Sequence, residues 1–157
     1  MRIIGIDPGT AITGFGLIEY ERGQYVFVDA GVIRTPAGQP MPERLKTLYE
    51  ELSQVLRETK PEQAAVEQLF FSTNVTTGIS VGQARGVILL TLAQIGLLPG
   101  EYTPMQIKQA VTGYGGAKKP QIQEMVKTLL KLPVIPRPDD AADALAIAIT
   151  HAGQVVI

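Results

Sequence analysis

Short apolar runs and helical stripes alternate along this chain. Arg2 to Asp7 is an apolar run that closes on an acid and stops at Pro8-Gly9, a turn signal, so it predicts a buried strand. Two segments rich in β-branched and aromatic residues follow, Thr13 to Glu21 and Gln24 to Thr35, and meet at Arg22-Gly23, a hairpin signal. Three antiparallel strands are therefore expected first. From Pro42 the spacing changes: Leu45, Leu48, Tyr49, Leu52, Val55 and Leu56 recur as one helical face, which ends at Lys60-Pro61. Ala64 to Glu67 is a second short apolar run ending in an acid. Asn74 to Leu98 predicts a long helix, apolar nearly all round after Val87, which suits a central position or a subunit interface. Glu101 to Thr103 is a fifth strand, Met105 to Val111 a short helix, and Gly113-Tyr114-Gly115-Gly116 a flexible loop. Pro120 opens a helix with Ile122, Met125, Val126, Leu129 and Leu130 inward, and Asp140 to His151 is a last helix of small residues. The expected fold class is α/β, a five-stranded mixed sheet with helices on both faces, with residues 1–157 as one domain.

Composition narrows the chemistry. With 157 residues, 45% of them hydrophobic, the chain can bury a real core, and with no cysteine it excludes disulfide frameworks, zinc ribbons and thiol nucleophiles. The longest apolar stretch, Val87 to Leu98, is interrupted by Thr91, Gln94 and Gly96, and no charged segment followed by a long apolar one opens the chain. The expectation is a soluble, cytoplasmic protein without a membrane partner. A net charge of −1 looks unsuited to nucleic acid, yet the charge is uneven. Residues 1–67 hold seven basic and ten acidic side chains, whereas Arg85 to Arg137 holds seven basic and two acidic ones. A fold that gathered Lys108, Lys118, Lys119, Lys127, Lys131 and Arg137 on one face would hold phosphates; spread out, they are an ordinary solvated surface.

Four acids sit where a folded domain would avoid them. Asp7 and Glu67 end apolar strand runs, and an unpaired buried carboxylate costs on the order of several kcal/mol. Asp140 and Asp143 lie three apart at a helix start, hence on one face, with only Ala141 and Ala142 between them. Alone, the pair also suits a helix N-terminus, and Asp7 alone suits a turn cap. Together the four make a candidate site for a hard divalent cation, magnesium or manganese, of the kind that activates water in phosphodiester hydrolysis. The sole histidine, His151, reads as structural or surface rather than as a ligand.

The motifs IGIDPG (Ile4 to Gly9), VEQLF (Val66 to Phe70), GQARG (Gly82 to Gly86), IKQAVTGYGGAKKPQ (Ile107 to Gln121), MVKTLLKLP (Met125 to Pro133) and DDAADALAIAITH (Asp139 to His151) run in colinear order. Together they resemble the RuvC family of crossover junction endodeoxyribonucleases. The resemblance implies a ribonuclease-H-like fold, which the element order also suits. It further implies a homodimer that resolves Holliday junctions by paired symmetric nicks in recombination and repair, with two Mg2+ per subunit that Mn2+ can replace. It places the catalytic and metal-ligating acids at Asp7, Glu67, Asp140 and Asp143, and Lys119 beside the scissile phosphate. Lys108, Lys118 and Arg85 are carried over as DNA contacts, and Phe70 as an aromatic that stacks near the junction. Some relatives have histidine at the position of Asp140, and a RuvA and RuvB branch-migration complex is an implied partner. Other readings of the same residues are a ribonuclease-H-like nuclease acting on structured RNA and a junction-binding module without catalysis. With the four acids assigned to cations, the rest of the chain carries +3.

Overall fold

The computed structural model describes residues 1–68 and 75–155. Its ten elements are β1 (Arg2–Asp7), β2 (Ile12–Glu21), β3 (Gln24–Arg34), α1 (Met41–Thr59), β4 (Gln63–Glu67), α2 (Val75–Gln94), β5 (Gly100–Tyr102), α3 (Pro104–Thr112), α4 (Lys119–Leu129) and α5 (Asp139–Val155). The strands form one sheet in the order β3-β2-β1-β4-β5, with β1 antiparallel to β2 and parallel to β4. The expected mixed sheet is present, and β1 stands at its centre.

Alternation along the strands sends side chains to two cores. Ile4, Ile6, Ala64 and Val66 pack with Leu48 and Leu52 of α1 and Ile88 and Leu92 of α2. Ile3, Ile18 and Ala65 pack on the other face with Ile107 of α3, Val126 of α4 and the length of α5. Each fully buried Ile or Leu contributes roughly 1.5–3 kcal/mol relative to exposure, so two stacked cores hold the sheet from both sides.

Helix α5 lies unusually close to the sheet. Its inward residues are mostly alanine, and the strands beneath meet them with glycine. A β-carbon on Gly5 would stand 2.6 Å from the Ala148 nitrogen, and one on Gly14 would stand 2.6 Å from the Asp140 carbonyl carbon. Both distances are impossible for real side chains, so these two glycines set how near α5 approaches β1 and β2.

Helix α2 departs from expectation in two ways. It ends at Gln94 rather than Leu98, because Gly96 turns the chain with a positive φ of 82°. Its burial is also one-sided: Ala84, Ile88 and Leu92 face the core, whereas Val75, Ile79 and Leu90 are exposed. By length and composition alone this helix would be apolar enough to cross a membrane. The glycine loop after α3, expected to be flexible, is tied by hydrogen bonds from Tyr114 N to Thr112 Oγ1 (3.1 Å), Gln109 Nε2 to Gly113 O (3.1 Å) and Ala117 N to Tyr114 O (3.0 Å).

Candidate metal centre

Strand register brings the first two acids together. Ile6 pairs with Val66 across the parallel ladder, so Asp7 and Glu67 follow side by side at the same end of the sheet. By alternation both project to the α5 face. The first turn of α5 crosses there and adds Asp140 and Asp143. One carboxylate oxygen from each of Asp7, Asp140 and Asp143 lies within 4.8 Å of the others. Glu67 joins them through a side-chain hydrogen bond with Asp7.

These groups strain against one another. Burial, then the charges of Glu67 and Asp143, push Asp7 up to about 9. Burial also raises Glu67 and Asp143, although the bond from Asp7 offsets part of the first and the Lys119 ammonium part of the second. Lys119, at the start of α4, places Nζ 3.3 Å from Asp143 Oδ2 and 3.8 Å from Asp139 Oδ2. Burial works against its charge, but the carboxylates, Asp143 foremost, hold it above the usual lysine value. Among the described residues no ion pair reaches Asp7 or Asp140. An all-oxygen donor set short of positive charge fits a hard divalent cation.

Two of the acids open onto a cavity of about 470 Å³ between α3, α4 and α5. Glu67 and Asp143 share its wall with Lys108, Lys118 and Lys119, so three of the expected cations face the acids. Arg137 lies beside them, donating to Asp139 Oδ1 at 2.9 Å. Arg85 is placed differently: on α2 it pairs with Glu101 of β5, and its buried Nε has no hydrogen-bond partner among the described residues. Phe70 lies outside the described residues.

Two supports of the site had no signal in the hydrophobic pattern. Arg44, 8% exposed, donates from Nη2 to Thr10 O (2.9 Å) and Thr35 O (3.3 Å), which fastens the turn after Asp7 to the end of β3. Thr10 Oγ1 also meets Ser80 Oγ at 2.8 Å, tying the same turn to α2. His151 is structural, as expected: Tyr102 OH lies 2.7 Å from Nδ1 and Gln63 Oε1 lies 3.0 Å from Nε2, and burial lowers its pKa.

The comparisons with known proteins agree with this geometry. The family model described as "Crossover junction endodeoxyribonuclease RuvC" matches residues 3–151. Proteins of that name from Desulfitobacterium hafniense and Chloroflexus aurantiacus are 61% identical over 155 residues and 58% identical over 152, covering 99% and 97% of this chain and 94% and 93% of theirs. The structure of T. thermophilus RuvC in complex with Holliday junction substrate superimposes with a TM-score of 0.92 at 37% identity, covering 97% of this chain and 93% of that one. The yeast mitochondrial Holliday junction resolvase Ydc2 shares the fold, with a TM-score of 0.68 at 14% identity over 96% of this chain and 78% of that one. A ribonuclease-H-like sheet whose central strand ends in an acid, a matching acidic helix start and near full-length identity of about 60% have one reading: the chain belongs to the RuvC family of crossover junction endodeoxyribonucleases.

Proposed function

We propose that this chain resolves Holliday junctions by hydrolysing phosphodiester bonds at the centre formed by Asp7, Glu67, Asp140 and Asp143. The observation that carries the reading is the convergence of three carboxylates within 4.8 Å beside a lysine-lined cavity, in a member of this family. Asp7, Glu67, Asp140 and Asp143 would hold two Mg2+ ions, with Mn2+ as a substitute. Bound there, such ions polarise the phosphate oxygens and make water a competent nucleophile near neutral pH. Asp7, whose proton is favoured by burial and by the charges of Glu67 and Asp143, would have to ionise to serve as a ligand beside the other acids. Lys119 stands over the same centre and neutralises charge on the phosphate oxygens as it grows. Lys108 and Lys118 line the approach and bind flanking phosphates, which orients the strand. Residues 1–157 act as one nuclease domain, and Phe70 and Arg85 are further candidate DNA contacts.

Two symmetric cuts need two sites related by a two-fold axis, which favours a homodimer. Helix α2 supplies a face for it. Val75, Ile79, Gln83, Gly86 and Leu90 follow one another at helical spacing on its exposed side, and Val75, Ile79 and Leu90 are each more than half exposed among the described residues. We place the protein in the cytoplasm, working with a RuvA and RuvB branch-migration complex.

The decisive test is cleavage of a synthetic four-way junction beside a matched duplex, with Mg2+, with Mn2+ and with chelator. Paired nicks in the junction alone, lost with chelator, are expected. Equal cutting of the duplex would refute the junction reading, and preferential cutting of folded RNA would transfer the activity to another nucleic acid.

A further inference from the structure

Lys119 faces two carboxylates, and the two are not equivalent. Nζ lies 3.3 Å from Oδ2 of Asp143 and 3.8 Å from Oδ2 of Asp139. Asp143 belongs to the carboxylate trio of the centre, and Asp139 does not. The other oxygen of Asp139 is already engaged: Oδ1 accepts from Nη1 of Arg137 at 2.9 Å and from Nε2 of Gln123 at 3.2 Å. Gln123 is a buried side chain of α4, 8% exposed. A carboxylate held at Oδ1 by two donors presents Oδ2 in one direction, and that direction is Lys119.

Occupation of Asp143 by a divalent cation changes the competition for this lysine. The Asp143 oxygens then serve the cation, whose positive charge repels the nearby ammonium. Without another anchor, a flexible lysine chain would swing toward solvent. Asp139 lies outside the ligand set and keeps its charge for Lys119. We infer that Asp139 is a positioning residue: it holds the Lys119 ammonium over the centre when Asp143 is occupied, so that the ammonium is in place for the phosphate. The inference rests on the proposed role of Lys119 in junction cleavage.

The substitution Asp139→Asn keeps an oxygen for Gln123 and Arg137 and removes the charge that faces Lys119. The expected result is a fall of about tenfold in the single-turnover cleavage rate at saturating junction, the size of one charge-assisted contact. Junction affinity measured in Ca2+ should stay at the wild-type value. In a Lys119→Ala background, itself slow, the same substitution should have no further effect. A second readout needs no cleavage: the Lys119 side-chain ammonium in 15N-lysine-labelled, Mg2+-loaded protein should exchange slowly in wild type and be broadened away in Asp139→Asn. Asp139→Glu retains the charge and should keep both readouts near wild type. An equal rate loss with and without Lys119, or an ammonium signal indifferent to Asp139→Asn, would overturn the inference and leave Asp139 as a tether between α4 and α5. A wild-type protein that ignored junctions would sink the functional reading instead, and the ammonium signal would still decide the role of Asp139.

Discussion

The backbone of Asp140 occupies the place where a side chain on Gly14 would stand. Gly14 is also the ladder partner of Asp7. One glycine therefore sets both the strand beside the first acid and the approach of the helix that carries the third and fourth.

Gly14→Ala should consequently separate the acids. The added methyl meets the Asp140 main chain, which cannot rotate away, so α5 must shift outward. Overpacking of this kind costs roughly 1–3 kcal/mol. A lower Tm is expected, together with a cleavage rate that falls by more than the loss of folded protein explains. Full activity in this variant would show that the close approach of α5 is not required.

Asp7→Asn should abolish cleavage and leave junction binding intact. The amide fills the same space but cannot serve as a central anionic ligand, whereas Lys108, Lys118 and Lys119, proposed to meet phosphate, line the neighbouring cavity. The electrophoretic shift of a four-way junction in Ca2+ measures binding, and single-turnover cleavage in Mg2+ measures the loss. Cutting at the wild-type rate would remove Asp7 from the centre.

The acids also give the metal-free protein a characteristic pH dependence. Asp7 in the folded state holds its proton up to about 9, against 3.8 when unconstrained, so above pH 4 the folded protein binds more protons than the unfolded chain. Its contribution to stability is complete below about pH 4 and is lost as pH rises toward 9, by at most about 1.4 kcal/mol per pH unit for one proton. Glu67 and Asp143, also raised, act in the same direction. His151 has the opposite sign, since its lowered pKa removes stability only as pH falls through 6.5. Thermal unfolding in chelator should show Tm decreasing from pH 7 to 9, less steeply in Asp7→Asn. Mg2+ should reverse the decrease, because binding displaces the proton and gains affinity with pH. A flat profile in chelator would contradict the crowding of these acids.

The exposed stripe of α2 predicts its own outcome. Leu90 is 56% exposed at the C-terminal end of the stripe, and Leu90→Glu should convert a dimer to a monomer in sedimentation equilibrium. Val26, equally exposed at 57% on β3, lies off the stripe, and Val26→Glu should leave the oligomeric state unchanged. A dimer that survives Leu90→Glu would move the interface off α2.

The elements of this chain were legible from local signals because each has a short-range cause. The short apolar run before Pro8-Gly9, the segments rich in β-branched and aromatic residues and the Arg22-Gly23 turn marked β1 to β3, and the stripe from Leu45 to Leu56 marked α1, all recovered within a residue or two. The acids at strand ends and the Asp140–Asp143 pair stood out for the same reason: charge beside apolar neighbours is costly wherever the chain goes. Other features depended on contacts between distant segments. Nothing near Lys119 in sequence indicates that it meets Asp143 and Asp139, because α4 and α5 are brought together by tertiary packing, which the Gln123–Asp139 bond supports. The apolar composition of α2 did not reveal that one side faces the core and the other is exposed among the described residues, since periodicity is weak where both sides are apolar. The bonds from Arg44 to the turn after Asp7 likewise exist only in the folded chain. The sequence by itself determined which acids stand out as candidates for the chemistry, through local energetic cost. The tertiary structure decided which of them meet, because only the close approach of α5 over glycine brings acids some 130 residues apart within reach of one cation.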